Sequence, residues 1–241
     1  MKVYQNKNIE YSEAYLSELG QEMRIDADYW KPYYLRNEEL LRSKNGFPIK
    51  TLVPNPQYGI SIAMNEEGKG FPIMKMDNIM EVLADDSGLK YANINLKTFK
   101  QFQLNKYDVL FNRVNSEDYV GRTGINLLEG NFTFASYLVR INSGIDYTNC
   151  YLTLYLNSKY GKTALHRVKR RAVNQANINA RELINLYLPI PSEYLQKELK
   201  QLIEEAQLQK NASRNLYQEA ETLLLNELGL SGWKSRTRKI S

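Results

Sequence analysis

The string HRVKRRAVNQANIN, residues 166–179, places two kinds of recognition chemistry side by side. Arg167, Lys169, Arg170 and Arg171 are followed by Asn174, Gln175 and Asn177, and the first acid comes only at Glu182. Arg and Lys are the usual contacts to phosphate, while Arg reads guanine and Asn or Gln reads adenine through paired hydrogen bonds in the major groove. A solvated basic helix end running into a polar loop would use the same residues, and it stands as the alternative. A second group, Asn112, Arg113, Asn115 and Ser116 in LFNRVNSEDYVGR, comes straight off a predicted strand. There, amide and hydroxyl groups serve a turn as readily as a ligand. Lys75 and Asn78 in IMKMDNI form a third, weaker candidate.

Other chemistries find less support. VPNPQYG, residues 53–59, lies one residue away from Asn-Pro-Pro-Tyr, with which amino-methyltransferases hold a nucleobase. Methyl-donor binding needs a Gly-rich turn from strand to helix, and no G-x-G element lies near. Gln57 also replaces the second proline. A nuclease needs clustered carboxylates for Mg²⁺, whereas Asp85-Asp86 and Glu117-Asp118 sit in turn-like contexts and read as solvated loops. One cysteine, Cys150, and one histidine, His166, supply neither a disulfide nor a cluster of metal ligands. The expectation is a chain without a catalytic constellation, metal site or cofactor of its own.

The elements that must position these groups follow from composition and period. The 241 residues are 43% hydrophobic and 24% charged, enough for one sizeable domain with an arm. Mean hydropathy is -0.53, and the chain holds neither the roughly 18 apolar residues of a spanning helix nor the apolar core of a signal peptide. A cytoplasmic location is expected. The net charge of +5 and pI near 9.0 suit a polyanionic partner. Residues 1–44 read as a helical lead-in broken near Trp30 by Pro32. Residues 45–192 carry short strand-like runs between Gly, Asn, Asp and Pro, with one helical stretch from Tyr147 to about Val168.

Beyond Pro191 the period changes. Leu195, Leu199, Leu202, Ala206, Gln209, Ser213, Leu216, Ala220, Leu223 and Glu227 alternate spacings of four and three, the a/d row of a coiled coil. The pattern predicts a long helix within 193–230, about 50 Å from end to end, stopped at Gly229 and followed by a basic tail over 231–241. Such a helix needs a partner, and its polar a/d positions Gln209 and Ser213 would fix register. An amphipathic helix lying on its own domain is the alternative. The fold class is α+β, a β-rich domain with a long C-terminal coiled-coil helix.

Taken in order, RIDADYWKPYY, GFPIMKMDNI, YDVLFNRVNSEDYVGRTGI, FTFASYLVRI, YLTLYLNSKYGKT, QANINARELINLYLPIPSEYLQKEL and the heptad helix resemble one half of a specificity (S, HsdS) subunit of type I restriction-modification systems. The resemblance covers most of the chain. It implies a target-recognition domain over 45–192 that binds double-stranded DNA. It also implies catalysis on other polypeptides: a methyltransferase (M) subunit using S-adenosylmethionine and an ATP-dependent restriction (R) subunit. Members of that family carry two recognition domains and two long antiparallel helices; this chain holds one of each. It would be a half-subunit that pairs with a second copy, through Leu195, Leu199, Leu202, Ala206, Leu216, Ala220 and Leu223, or a piece of a longer subunit. A coiled-coil interaction protein without DNA affinity and a divergent methyltransferase are the rivals.

Overall fold

The computed structural model describes residues 2–6, 9–19 and 24–231, and the chain divides into two compact units, Met1–Lys200 and Gln201–Ser241. In the first unit the order is β1 (Lys2–Asn6), β2 (Ile9–Glu13), α1 (Pro32–Ser43), β3 (Phe47–Pro48), β4 (Gln57–Tyr58), β5 (Met64–Asn65), β6 (Phe71–Met74), β7 (Val82–Leu83) and β8 (Lys90–Ala92). It continues through α2 (Leu96–Phe102), β9 (Val109–Asn112), β10 (Val114–Asn115), β11 (Thr123–Ile125), β12 (Thr133–Phe134) and β13 (Leu138–Ile141). Then come α3 (Asp146–Asn157), α4 (Lys159–Val168), β14 (Arg170–Arg171), β15 (Ala176–Asn177), α5 (Ala180–Ile184) and β16 (Tyr187–Leu188), and the last helix, α6 (Glu193–Glu227), begins in the first unit and continues as the second. The class is α+β.

The lead-in differs from expectation. Residues 2–13 form an antiparallel ribbon rather than a helix, with Tyr4 and Tyr11 paired across the strands and their rings stacked at 5.1 Å. Cross-strand aromatic pairs of this kind stabilise a ribbon. The helix begins only at Pro32, whose fixed φ suits the first turn and whose missing N–H has no partner to lose there.

A five-stranded sheet, ordered β4-β13-β9-β11-β7, forms the centre, and a four-stranded sheet, β12-β6-β8-β5, lies beside it in the chain path. The run Val109-Leu110-Phe111-Asn112 is buried along its whole length, as expected of a central strand covered on both faces. Leu110, Phe134, Leu138, Met74 and Ile79 make one apolar cluster. The expected single helix from Tyr147 is two: Ser158 ends α3 and caps α4, its hydroxyl accepting from the Gly161 N–H at 3.2 Å.

The stretch VPNPQYG leads into an edge strand. Gln57 and Tyr58 pair with β13. A Cβ on Gly59 would lie 2.3 Å from the Ala135 carbonyl oxygen, so only glycine allows the backbones to close. Gln57 is engaged with Arg140 and donates to the Gln101 carbonyl at 3.2 Å.

Helix α6 spans 35 residues. Its end is a Schellman closure: the Leu230 N–H donates to the Leu225 carbonyl at 2.7 Å and the Gly229 N–H to the Asn226 carbonyl at 3.0 Å, with Gly229 at φ +66°. Residues 232–241, most of the expected basic tail, lie outside the described residues. Among the described residues no helix is long and apolar enough to cross a membrane.

Candidate nucleic-acid interface

Two of the sequence groups, some 55 residues apart, meet in one three-stranded sheet ordered β10-β15-β14. Asn115 pairs with Ala176 and Val114 with Asn177, while Arg170 pairs with Asn177 and Arg171 with Ala176. Ile178 donates its N–H to the Arg113 carbonyl at 2.9 Å, which extends the junction towards the central sheet. Arg113 is half-buried, its guanidinium carbon 5.0 Å from the Tyr58 ring centroid, and it donates to the Ser136 carbonyl at 3.4 Å.

The basic run is far less free than its sequence suggests. Arg167 is 8% exposed; it is bound to Glu38, donates to the Tyr29 carbonyl at 3.1 Å, and lies over the Tyr29 and Trp30 rings at 4.3 and 5.7 Å. Lys169 is 4% exposed and paired with Glu117 at 3.1 Å. Both were expected at the DNA; the structure corrects that, because each is enclosed by its own acid partner. Arg170 meets Glu182 at 3.0 Å, and Arg171 meets Glu117 at 2.7 Å and Asp28 at 2.8 Å. These two arginines stay exposed at the side of the sheet.

Two amides also belong to the interior. Asn112 is fully buried. Asn78 is 1% exposed and pins its loop by donating to the Asp85 and Ser87 carbonyls at 3.0 and 2.8 Å and accepting from the Lys75 N–H at 3.0 Å. Neither can present an edge to a base. Lys75 pairs with Asp77 at 2.6 Å in another part of the surface. Asn115 accepts from the Ser116 N–H at 2.8 Å, the turn role that its position allowed. Of the amides in these sequence groups, Asn174 and Gln175 are exposed and make no side-chain hydrogen bond among the described residues, at the turn joining β14 to β15.

Sequence reasoning missed the acids. Glu117 and Asp85 read as loop residues in solvent, yet Glu117 clamps Lys169 and Arg171, and Asp85 is 8% exposed and accepts from the Ser87 N–H at 2.8 Å. Hydrogen bonds from Arg171 and then Lys169 hold the Glu117 carboxyl down to about 2, from an ordinary value of 4.5. A depressed folded value stabilises the fold above about pH 4.5, and that contribution disappears as pH falls towards 2. Glu117→Gln is therefore expected to be less stable than the parent at pH 7 and level with it near pH 2. Acid titrations followed by circular dichroism that superimpose, with no difference at pH 7, would remove this clamp from the stability of the fold.

The described residues thus combine a β-rich domain, carrying a polar and partly basic three-stranded sheet, with a long C-terminal helix. No protein-family model matches the chain. Over 160 residues it is 26% identical to the MjaX type I restriction enzyme specificity subunit of Methanocaldococcus jannaschii, so named provisionally, covering 64% of this chain and 37% of that protein. It is 22% identical over 160 residues to the EcoKI type I restriction enzyme specificity subunit of Escherichia coli K12, covering 65% of this chain and 34% of that one. The chain thus spans about a third of the length of these relatives. In fold it is similar to the type IIG restriction endonuclease BpuSI, with a TM-score of 0.53 at 11% identity over 78% of this chain and 30% of that one. The chain is similar to type I specificity subunits, in agreement with the resemblance read from its sequence.

Proposed function

We propose that this chain is the DNA-addressing subunit of a type I restriction-modification system. It binds double-stranded DNA through the β10-β15-β14 sheet, reads one half of a bipartite site, and performs no catalysis itself. A methyltransferase subunit and a restriction subunit, carried on this scaffold, supply the chemistry. A second copy joined through α6 supplies the other half-site, and two-fold symmetry then makes the target a palindrome with a fixed spacer. The observation that carries the reading is the convergence of the Asn115 and Arg170–Asn177 segments in one sheet whose outer strand, Arg170–Arg171, is exposed.

Replacing both Arg170 and Arg171 with Ala is expected to weaken duplex binding and lower the slope of log affinity against log salt by up to about two, since each phosphate contact contributes about one. Titrations of the full chain at several salt concentrations read that slope. Unchanged affinity and slope would take the arginines out of the interface, and no salt-dependent binding by the parent would leave a coiled-coil interaction protein. Binding of S-adenosylmethionine by the chain alone would favour a methyltransferase.

A further inference from the structure

We infer that the β14–β15 hairpin is the base-reading element, that it enters the major groove, and that it reads an A·T pair. The inference rests on the DNA-binding reading above. The hairpin is closed by the Ala172 N–H donating to the Gln175 carbonyl at 2.7 Å, so Val173 and Asn174 form its tip. Val173 is 98% exposed, an unusual position for a β-branched apolar side chain with no partner in its own fold.

Three features of the hairpin fit a groove. β10 flanks β15 only as far as Asn115, so residues 172–175 project beyond it as a two-stranded turn, and a two-stranded ribbon is one of the shapes that the major groove admits. At about 3.3 Å per residue the tip at Val173 stands roughly 7 Å beyond Arg171, the last position level with β10, comparable with a groove depth of about 8.5 Å. The base of the hairpin is braced from both sides, by Arg171 bound to Glu117 and Asp28 and by Arg170 bound to Glu182, so the tip is held out on a fixed stalk.

The chemistry of the tip selects the base pair. Gln and Asn side chains pair with adenine N6 and N7, and an apolar group packs on the thymine methyl. Gln175 and Asn174 carry the unengaged amides and Val173 the methyls, so the set matches A·T and offers nothing bidentate for guanine O6 and N7. The cations of the same hairpin stand at its base, where a groove wall would bring phosphates, and are tied to carboxylates in the free chain.

Selection from a randomised duplex pool tests this with the full chain, Gln175→Ala, Asn174→Ala and Val173→Ser. These positions are exposed, so the variants should melt with the parent. The parent is expected to enrich sites with at least one fixed A·T pair. Gln175→Ala or Asn174→Ala should lose about 5- to 150-fold of the preference at that pair while the other fixed positions persist. Uracil in place of thymine there should weaken the parent but not Val173→Ser. Identical enriched sites and preferences for parent and amide variants would overturn the hairpin assignment and leave DNA binding standing. Uniform weakening at all positions would also overturn it, in favour of backbone contact. No enrichment by the parent would overturn both this assignment and the DNA-binding reading.

Discussion

Arg167→Met lowers the stability of the chain by about 3 kcal/mol, the lower end of the range for breaking a buried ion pair. The lower end applies because Glu38 keeps a second partner, Arg42 at 2.6 Å, and is partly exposed. The remaining loss comes from the Tyr29 carbonyl, which loses its donor, and from the Tyr29 and Trp30 rings, which lose the guanidinium lying over them. For a chain of this size the melting temperature should fall by about 6–12 °C. Arg167→Lys keeps the charge but lacks the planar fork that reaches the carbonyl and the carboxylate together, so it should fall between parent and Met variant. The salt slope of DNA binding should stay at the parent value in both. A Met variant that melts with the parent and loses about one unit of slope would restore Arg167 to the DNA surface.

Placing Asp at both Leu202 and Leu216 should convert a dimer to monomers. In the single chain these leucines are 66% and 65% exposed, and Leu223 on the same row is 64% exposed. A helix of this length with a bare leucine row is poorly served by water: burying each leucine contributes about 1.5–3 kcal/mol, and each substitution acts once in each copy. A carboxylate at the same position would be desolvated opposite its own symmetry mate. Leu208, 62% exposed but off the a/d row, is the control. Leu208→Asp should leave the dimer intact. Light scattering of the full chain reads the outcome: a double variant that stays dimeric, or a Leu208 variant that falls apart equally, would refute pairing through this row.

Both predictions turn on the difference between local and distant information in the sequence. The four-three leucine spacing and Gly229 marked α6 and its stop because helical period and C-capping are properties of neighbours. The short apolar runs between Gly, Asn and Pro marked the β-rich region for the same reason. The ribbon at residues 2–13 was not legible, since its stability comes from pairing Tyr4 with Tyr11 rather than from either strand alone. In the candidate interface, the sequence identified both groups of residues but could not show that β10 and β15 lie side by side.

It also could not tell which cations were spoken for. Glu117 lies 54 residues from Arg171, Glu38 lies 129 from Arg167, and Asp28 lies 143 from Arg171. The sequence by itself determined the chain's class, its long helix and its stock of Arg, Lys, Asn and Gln. Only the tertiary structure decided that Arg167, Lys169, Asn78 and Asn112 belong to the fold while Asn174 and Gln175 face outward. A charge exerts its chemistry according to what surrounds it in space, and the topology of the sheets, not the local spacing of residues, brings the acids to those cations.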